Sequence, residues 1–93
     1  MDDAAMKDTL EKLEKRGWTV SSDPEAISKT FEFKDFTRAF GWMTMVATRA
    51  EKIGHHPDWS NSYNKVDVSL TTHDSGGLTD KDLRLAKMMD QLA

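Results

Sequence analysis

A chain of 93 residues is the size of one domain, and a domain this small buries only about 60–65% of its unfolded surface, which leaves self-association room to add stability. It has no cysteine, so disulfide frameworks, thiolate metal sites and thiol nucleophiles are excluded; with no apolar run long enough for a leader or a membrane span, the expected setting is the cytoplasm. The formal net charge of −3, with Lys and Arg scattered, offers no footprint for a phosphate backbone, so nucleic acid is not expected as a direct ligand.

In chain order, Met6, Leu10 and Leu13 recur at helical spacing within Ala4 to Arg16, with Asp2 or Asp3 to cap the start and Gly17 to end the helix. Trp18, Thr19 and Val20 open a short strand that stops at the turn formers Ser21-Ser22-Asp23-Pro24, and Trp18 reads here as a core residue. From Ala26 the chain alternates. Ile27, Lys29, Phe31 and Phe33 face one way and Ser28, Thr30, Glu32 and Lys34 the other, which makes this the second arm of a hairpin.

Asp35 reads as the N-cap of a helix running to Ile53, about 28 Å long. Its apolar stripe is read as Phe36, Phe40, Met43, Ala47 and Ala50, widened by Ala39, Val46 and Ile53; Trp42, Met43 and Met45 are assigned to the core or to a subunit contact. Gly54 suits the left-handed position that closes a helix, and Pro57 cannot continue it. An extra strand over Asp58 to Tyr63 is an option. Val66, Val68 and Leu70 then alternate with Asp67, Ser69 and Thr71, and continuing the alternation sets His73 on the polar face. After the turn Asp74-Ser75-Gly76-Gly77, Thr79 opens a last helix with Leu85, Ala86, Met89 and Leu92 on its apolar face and Asp82 at capping-box spacing. Hairpin strands segregated from helices predict an α+β fold: an antiparallel sheet of about four strands with three helices packed on one face, the other face meeting water or another subunit.

All three histidines fall within Glu51 to His73. A metal site is not expected, because the adjacent His55 and His56 diverge in any regular backbone and His73 lies seventeen positions beyond His56. Acid–base chemistry suits them better, since an unperturbed imidazole titrates near ~6.5. Glu51 is spaced to pair with His55, either supporting a site or finishing the helix surface. Trp59 and Tyr63 either wall a pocket for a flat ligand or pack in the core. The residues alone thus point to a small-molecule site using His55, His56 and His73.

The pattern E-x3-H-H-P-x5-Y-x9-H-x8-D, filled by Glu51, His55, His56, Pro57, Tyr63, His73 and Asp82, resembles the signature of the pterin-4a-carbinolamine dehydratases. The likeness extends to Gly17-Trp18, to FEFKDFTRAFGWM from Phe31 to Met43 and to YNKV from Tyr63 to Val66, nearly the whole chain. The resemblance implies dehydration of a 4a-hydroxytetrahydropterin to a quinonoid dihydropterin, recycling the pterin of aromatic amino acid hydroxylases without a metal or an organic cofactor. It implies His55 and His73 as the proton-transfer pair, His56 as a binding and orienting residue, and Glu51 and Asp82 as supports, Asp82 serving equally well as a capping-box member. It further implies a pterin held between Gly54, His55 and His56 on one side and Thr71, Thr72, His73 and Asp74 on the other, with Trp18 as a pocket wall. Self-association to a homodimer or homotetramer follows from the family as well, and animal relatives also bind a homeodomain transcription factor. Two positions depart from the family pattern. Gly54 stands where animal relatives carry an Asp, and Asp74-Ser75-Gly76 replaces a Glu-Cys-Ala-like turn.

Overall fold

The first helix, α1 (Asp3–Lys15), begins where the Asp2 carboxylate accepts the Ala5 N–H at 2.7 Å and ends at Gly17, whose φ of +100° a side chain would resist. The computed structural model describes residues 2–93. Three-residue β1 (Thr19–Ser21) and β2 (Ala26–Glu32) form the expected hairpin, followed by α2 (Phe36–Ile53), β3 (Asp58–Ser62), β4 (Lys65–Leu70), a single 3-10 turn (His73–Ser75) and α3 (Asp80–Leu92). The strands make one antiparallel sheet in the order β1-β2-β4-β3, and with the three helices this is the predicted α+β architecture. The strand over Asp58 to Ser62, an option in the sequence, is an edge of the sheet.

Alternation decides the inner face. Ile27 and Phe31 of β2 and Val66, Val68 and Leu70 of β4 are buried, while Asp67 and Thr30 on the outer face meet each other, Thr30 donating its hydroxyl to Asp67 at 2.6 Å. Lys29 shares the inner face, as the pattern predicts. Its ammonium is satisfied by the Arg16 carbonyl at 2.6 Å and the Asp90 carboxylate at 2.7 Å, and it lies 4.7 Å from the centre of the Phe31 ring.

The buried stripe of α2 is Ala39, Trp42, Val46 and Ala50: three of these lie in the expected stripe and Trp42 takes the core place assigned to it, while Phe36, Phe40 and Ala47 are the correction. Phe36 and Phe40 point outward with their rings stacked at 5.4 Å, and Ala47 is exposed too. Trp42 explains the choice: its indole N–H donates to the Met89 carbonyl at 3.1 Å, and its ring lies 4.5 Å from Phe31, 5.2 Å from Phe33 and 6.2 Å from Trp59. An indole buries more area than any other side chain and needs a partner for its N–H; only the side facing α3 and the sheet offers both. Leu83, Leu85, Ala86, Met88 and Met89 of α3 complete the core, a broader face than the sequence spacing indicated.

Candidate active site

Helix α2 ends in a glycine-closed cap. Gly54 takes φ +75° and donates to Glu51 O at 3.2 Å, while His55 N–H donates to Ala50 O at 3.2 Å, the paired bonds of a Schellman turn. The left-handed residue swings the chain so that its next two side chains part. His55 turns inward to α3, and His56 folds back over the last helical turn.

The inward histidine meets Asp82. Facing a carboxylate, His55 Nε2 must carry the proton, and it donates to Asp82 Oδ1 at 2.5 Å. The other carboxylate oxygen accepts from the Thr72 hydroxyl at 2.7 Å and from the Thr79 N–H at 3.0 Å. Asp82 is fully buried, so it depends on these three donors and on its place in the first turn of α3, where helix N–H groups favour negative charge. One oxygen of this side chain thus closes the capping box while the other meets His55. His56 Nε2 pairs with Glu51 at 2.9 Å, which corrects the expected pairing of Glu51 with His55: the Gly54 turn carries His56, not His55, back over Glu51.

His73 was expected on the polar face of an extended strand, but β4 stops at Leu70. A bridge between Thr72 and Gly77 closes the chain there, with Thr72 N–H donating to Gly77 O at 2.9 Å, and His73 rides the 3-10 turn inside it. Glu25 fastens this rim. Its carbonyl accepts the Thr71 hydroxyl at 2.7 Å, its carboxylate accepts the Leu78 N–H at 3.1 Å, and its side chain packs so near Gly77 that a Cβ there would sit 3.1 Å from Oε1. The side-chain exposures of the histidines run from 14% for His55 through 63% for His56 to 79% for His73.

These segments enclose a cleft of about 270 Å³ lined by Gly54, His55, His56, Thr71, Thr72, His73 and Asp74, and also by Asp58. Glu51 and Asp82 stand behind it, each bonded to a histidine. Trp18 is a correction: it is buried in the core, donates its indole N–H to Asp90 at 3.0 Å, and lies outside this cleft. Tyr63 and Trp59 also lie outside it; Tyr63 occupies the exposed β3–β4 hairpin turn, and Trp59 packs against Trp42. A larger, shallower depression of about 780 Å³ covers the open sheet face, lined by hydroxyls and carboxylates such as Ser28, Ser69 and Asp67, and contains no histidine. Asp58 was missed in the sequence. Its signal was the antiparallel register that sets it opposite Ser69, near the end of the strand that leads to His73.

A family model described as Pterin 4 alpha carbinolamine dehydratase matches residues 1–92. The chain belongs to this family of hydro-lyases. A relative from Jannaschia sp. (strain CCS1), provisionally named a pterin-4-alpha-carbinolamine dehydratase, is 55% identical over 93 residues, covering 100% of this chain and 95% of its own. The crystal structure of a transcriptional coactivator/pterin dehydratase from Brucella melitensis superposes with a TM-score of 0.88 at 43% identity, covering 100% of this chain and 97% of that one. A pterin dehydratase-like protein described as a RuBisCO assembly factor in the alpha-carboxysome matches with a TM-score of 0.72 over 83% of this chain and 89% of its own; at 20% identity that likeness speaks to the fold alone. No helix among the described residues is long and apolar enough to cross a membrane.

Proposed function

We propose that the chain dehydrates a 4a-hydroxytetrahydropterin to the quinonoid dihydropterin, with proton transfer by His55 and His73 and with His56 binding and orienting the substrate. The elimination needs one proton given to the departing 4a-hydroxyl, which leaves as water, and one proton removed from N5. Two imidazoles lining one cleft suit that pair of transfers, and general acid–base assistance is worth on the order of 10²–10⁴-fold. The observation that carries the reading is the convergence of three histidines, from the end of α2 and the turn after β4, on one cleft of about 270 Å³. His55 is the most restrained of them, so a transfer through it needs little reorganisation.

Stopped-flow measurement of 4a-hydroxytetrahydropterin breakdown tests this directly. The protein should accelerate the spontaneous reaction, and His73→Ala should lower kcat by about 100-fold. No acceleration by the wild type would overturn the reading, and an undiminished His73→Ala rate would remove His73 from the proton-transfer pair.

A second reading, recruitment of a protein partner such as a transcription factor, is favoured by the exposed Phe36, Phe40 and Met45 of α2. It draws on the Brucella relative, described in part as a transcriptional coactivator. The same apolar surface supports self-association to a dimer or tetramer.

A further inference from the structure

Each histidine of the cleft has one carboxylate within ion-pair reach, and the three carboxylates come from different places: Asp82 from α3 for His55, Glu51 from α2 for His56 and Asp58 from the start of β3 for His73. The first two are hydrogen bonds. The third is not yet one: Asp58 Oδ2 stands 3.8 Å from His73 Nε2, with both side chains exposed. Among the described residues His73 makes no side-chain hydrogen bond, and Asp58 is the one carboxylate within 4 Å of its imidazole nitrogens, Asp74 beside it in the cleft lying farther off. The backbone beneath the ring is held, since His73 O accepts the Gly76 N–H at 3.1 Å within the Thr72–Gly77 closure. The His73 main chain is therefore fixed and its imidazole is not.

A group that transfers a proton has to present the correct nitrogen at the correct angle, and a neutral imidazole has two tautomers to choose from. Asp58 is suited to make that choice. It lines the cleft itself, and its Cα is held opposite Ser69 by the β3–β4 ladder. A modest rotation of either side chain, or one bridging water, closes 3.8 Å to a charge-assisted hydrogen bond.

We propose that Asp58 is a positioning residue for His73: its carboxylate takes the Nε2–H of the imidazole, fixing ring orientation and tautomer so that Nδ1 faces the substrate. This rests on the dehydratase reading for its kinetic consequence, though not for its structural one. The role parallels that of Asp82 toward His55. Because Asp58 and His73 are exposed in the free protein, substrate entry would tighten this contact.

The test compares Asp58→Asn, Asp58→Glu and, as a charge control on the open sheet face, Asp67→Asn. Asp58→Asn should lower kcat about tenfold with KM within about twofold, Asp58→Glu should recover most of the loss, and Asp67→Asn should stay near wild type. In a His73→Ala background Asp58→Asn should cost nothing further. Alongside, the ring ¹⁵N shifts of His73, recorded where the ring is neutral, should report Nε2–H predominating in the wild type and a mixture of tautomers in Asp58→Asn. A wild-type rate in Asp58→Asn, or an equal loss with His73 already removed, overturns the proposal. If the wild type itself fails to dehydrate the pterin, the functional reading falls, and the ¹⁵N spectra decide the positioning: unchanged His73 shifts in Asp58→Asn overturn it, and a changed tautomer ratio supports it.

Discussion

Asp82 concentrates more of this protein's physical chemistry than any other side chain. Its two oxygens collect three donors from the corner after α2, the loop after β4 and the start of α3, in a place that water does not reach. Asp82→Ala should therefore destabilise the fold by about 3 kcal/mol in urea titration, because it leaves buried donors without partners. Asp82→Asn keeps the volume and one acceptor, so it should cost less stability while still lowering kcat at least tenfold through the disoriented His55. Position 82 was legible in the sequence as a capping-box member, since that rule is local. Its bond to His55 crosses twenty-seven residues, and no periodicity encodes it. Trp18 failed as a pocket wall for a related reason: the Asp90 partner that draws its indole inward lies seventy-two residues away.

At the scale of elements, the site depends on how α2 stops. Nothing lies within 4 Å of a Cβ built on Gly54, so steric room is not the constraint there, whereas φ +75° is. Gly54→Ala should cost about 1–2 kcal/mol in left-handed backbone strain, lowering Tm by roughly 5–10 °C in a domain this small. The dehydratase rate should fall with it, because His55 and His56 take their divergence from that residue; calorimetry and kinetics on the same sample check both. This helix end was readable from Gly54 and Pro57. The buried stripe of α2 was readable only in part: Ala39, Val46 and Ala50 were in it, but Phe36 and Phe40 were placed inside, because the helix carries two apolar sides and spacing does not say which one the sheet will take. Trp42 settled it through contacts with Phe31 and Met89 that lie outside any local window. Alternation carried β4 only as far as Leu70; beyond it the Thr72–Gly77 closure overrode the two-residue period and re-aimed His73.

For the molecule as a whole, the surface left over is as informative as the core. Helices cover one side of the sheet, and α2 still turns stacked Phe36 and Phe40, with Met45, to the outside. Sedimentation at micromolar concentration should show a dimer or tetramer, and Phe40→Glu should shift it toward monomer with the fold intact by circular dichroism. A stable wild-type monomer would assign that patch to another partner. The α+β class, the strand count and the cleft's main residues followed from patterns a few residues long, together with the family resemblance. Glu51 and Asp82 were implied as histidine supports by that resemblance, but which histidine each one meets, and Asp58, were not legible, since two of the three pairings join different elements.

The double bonding of Asp82 also sets the smallest piece of this protein that could be moved to another scaffold. Transplanting the Gly-His-His-Pro corner alone would carry the imidazoles without the group that fixes the inner one. The transferable unit is the corner together with Thr72, Thr79 and the opening turn of α3, two segments far apart in the chain that would have to arrive already facing each other.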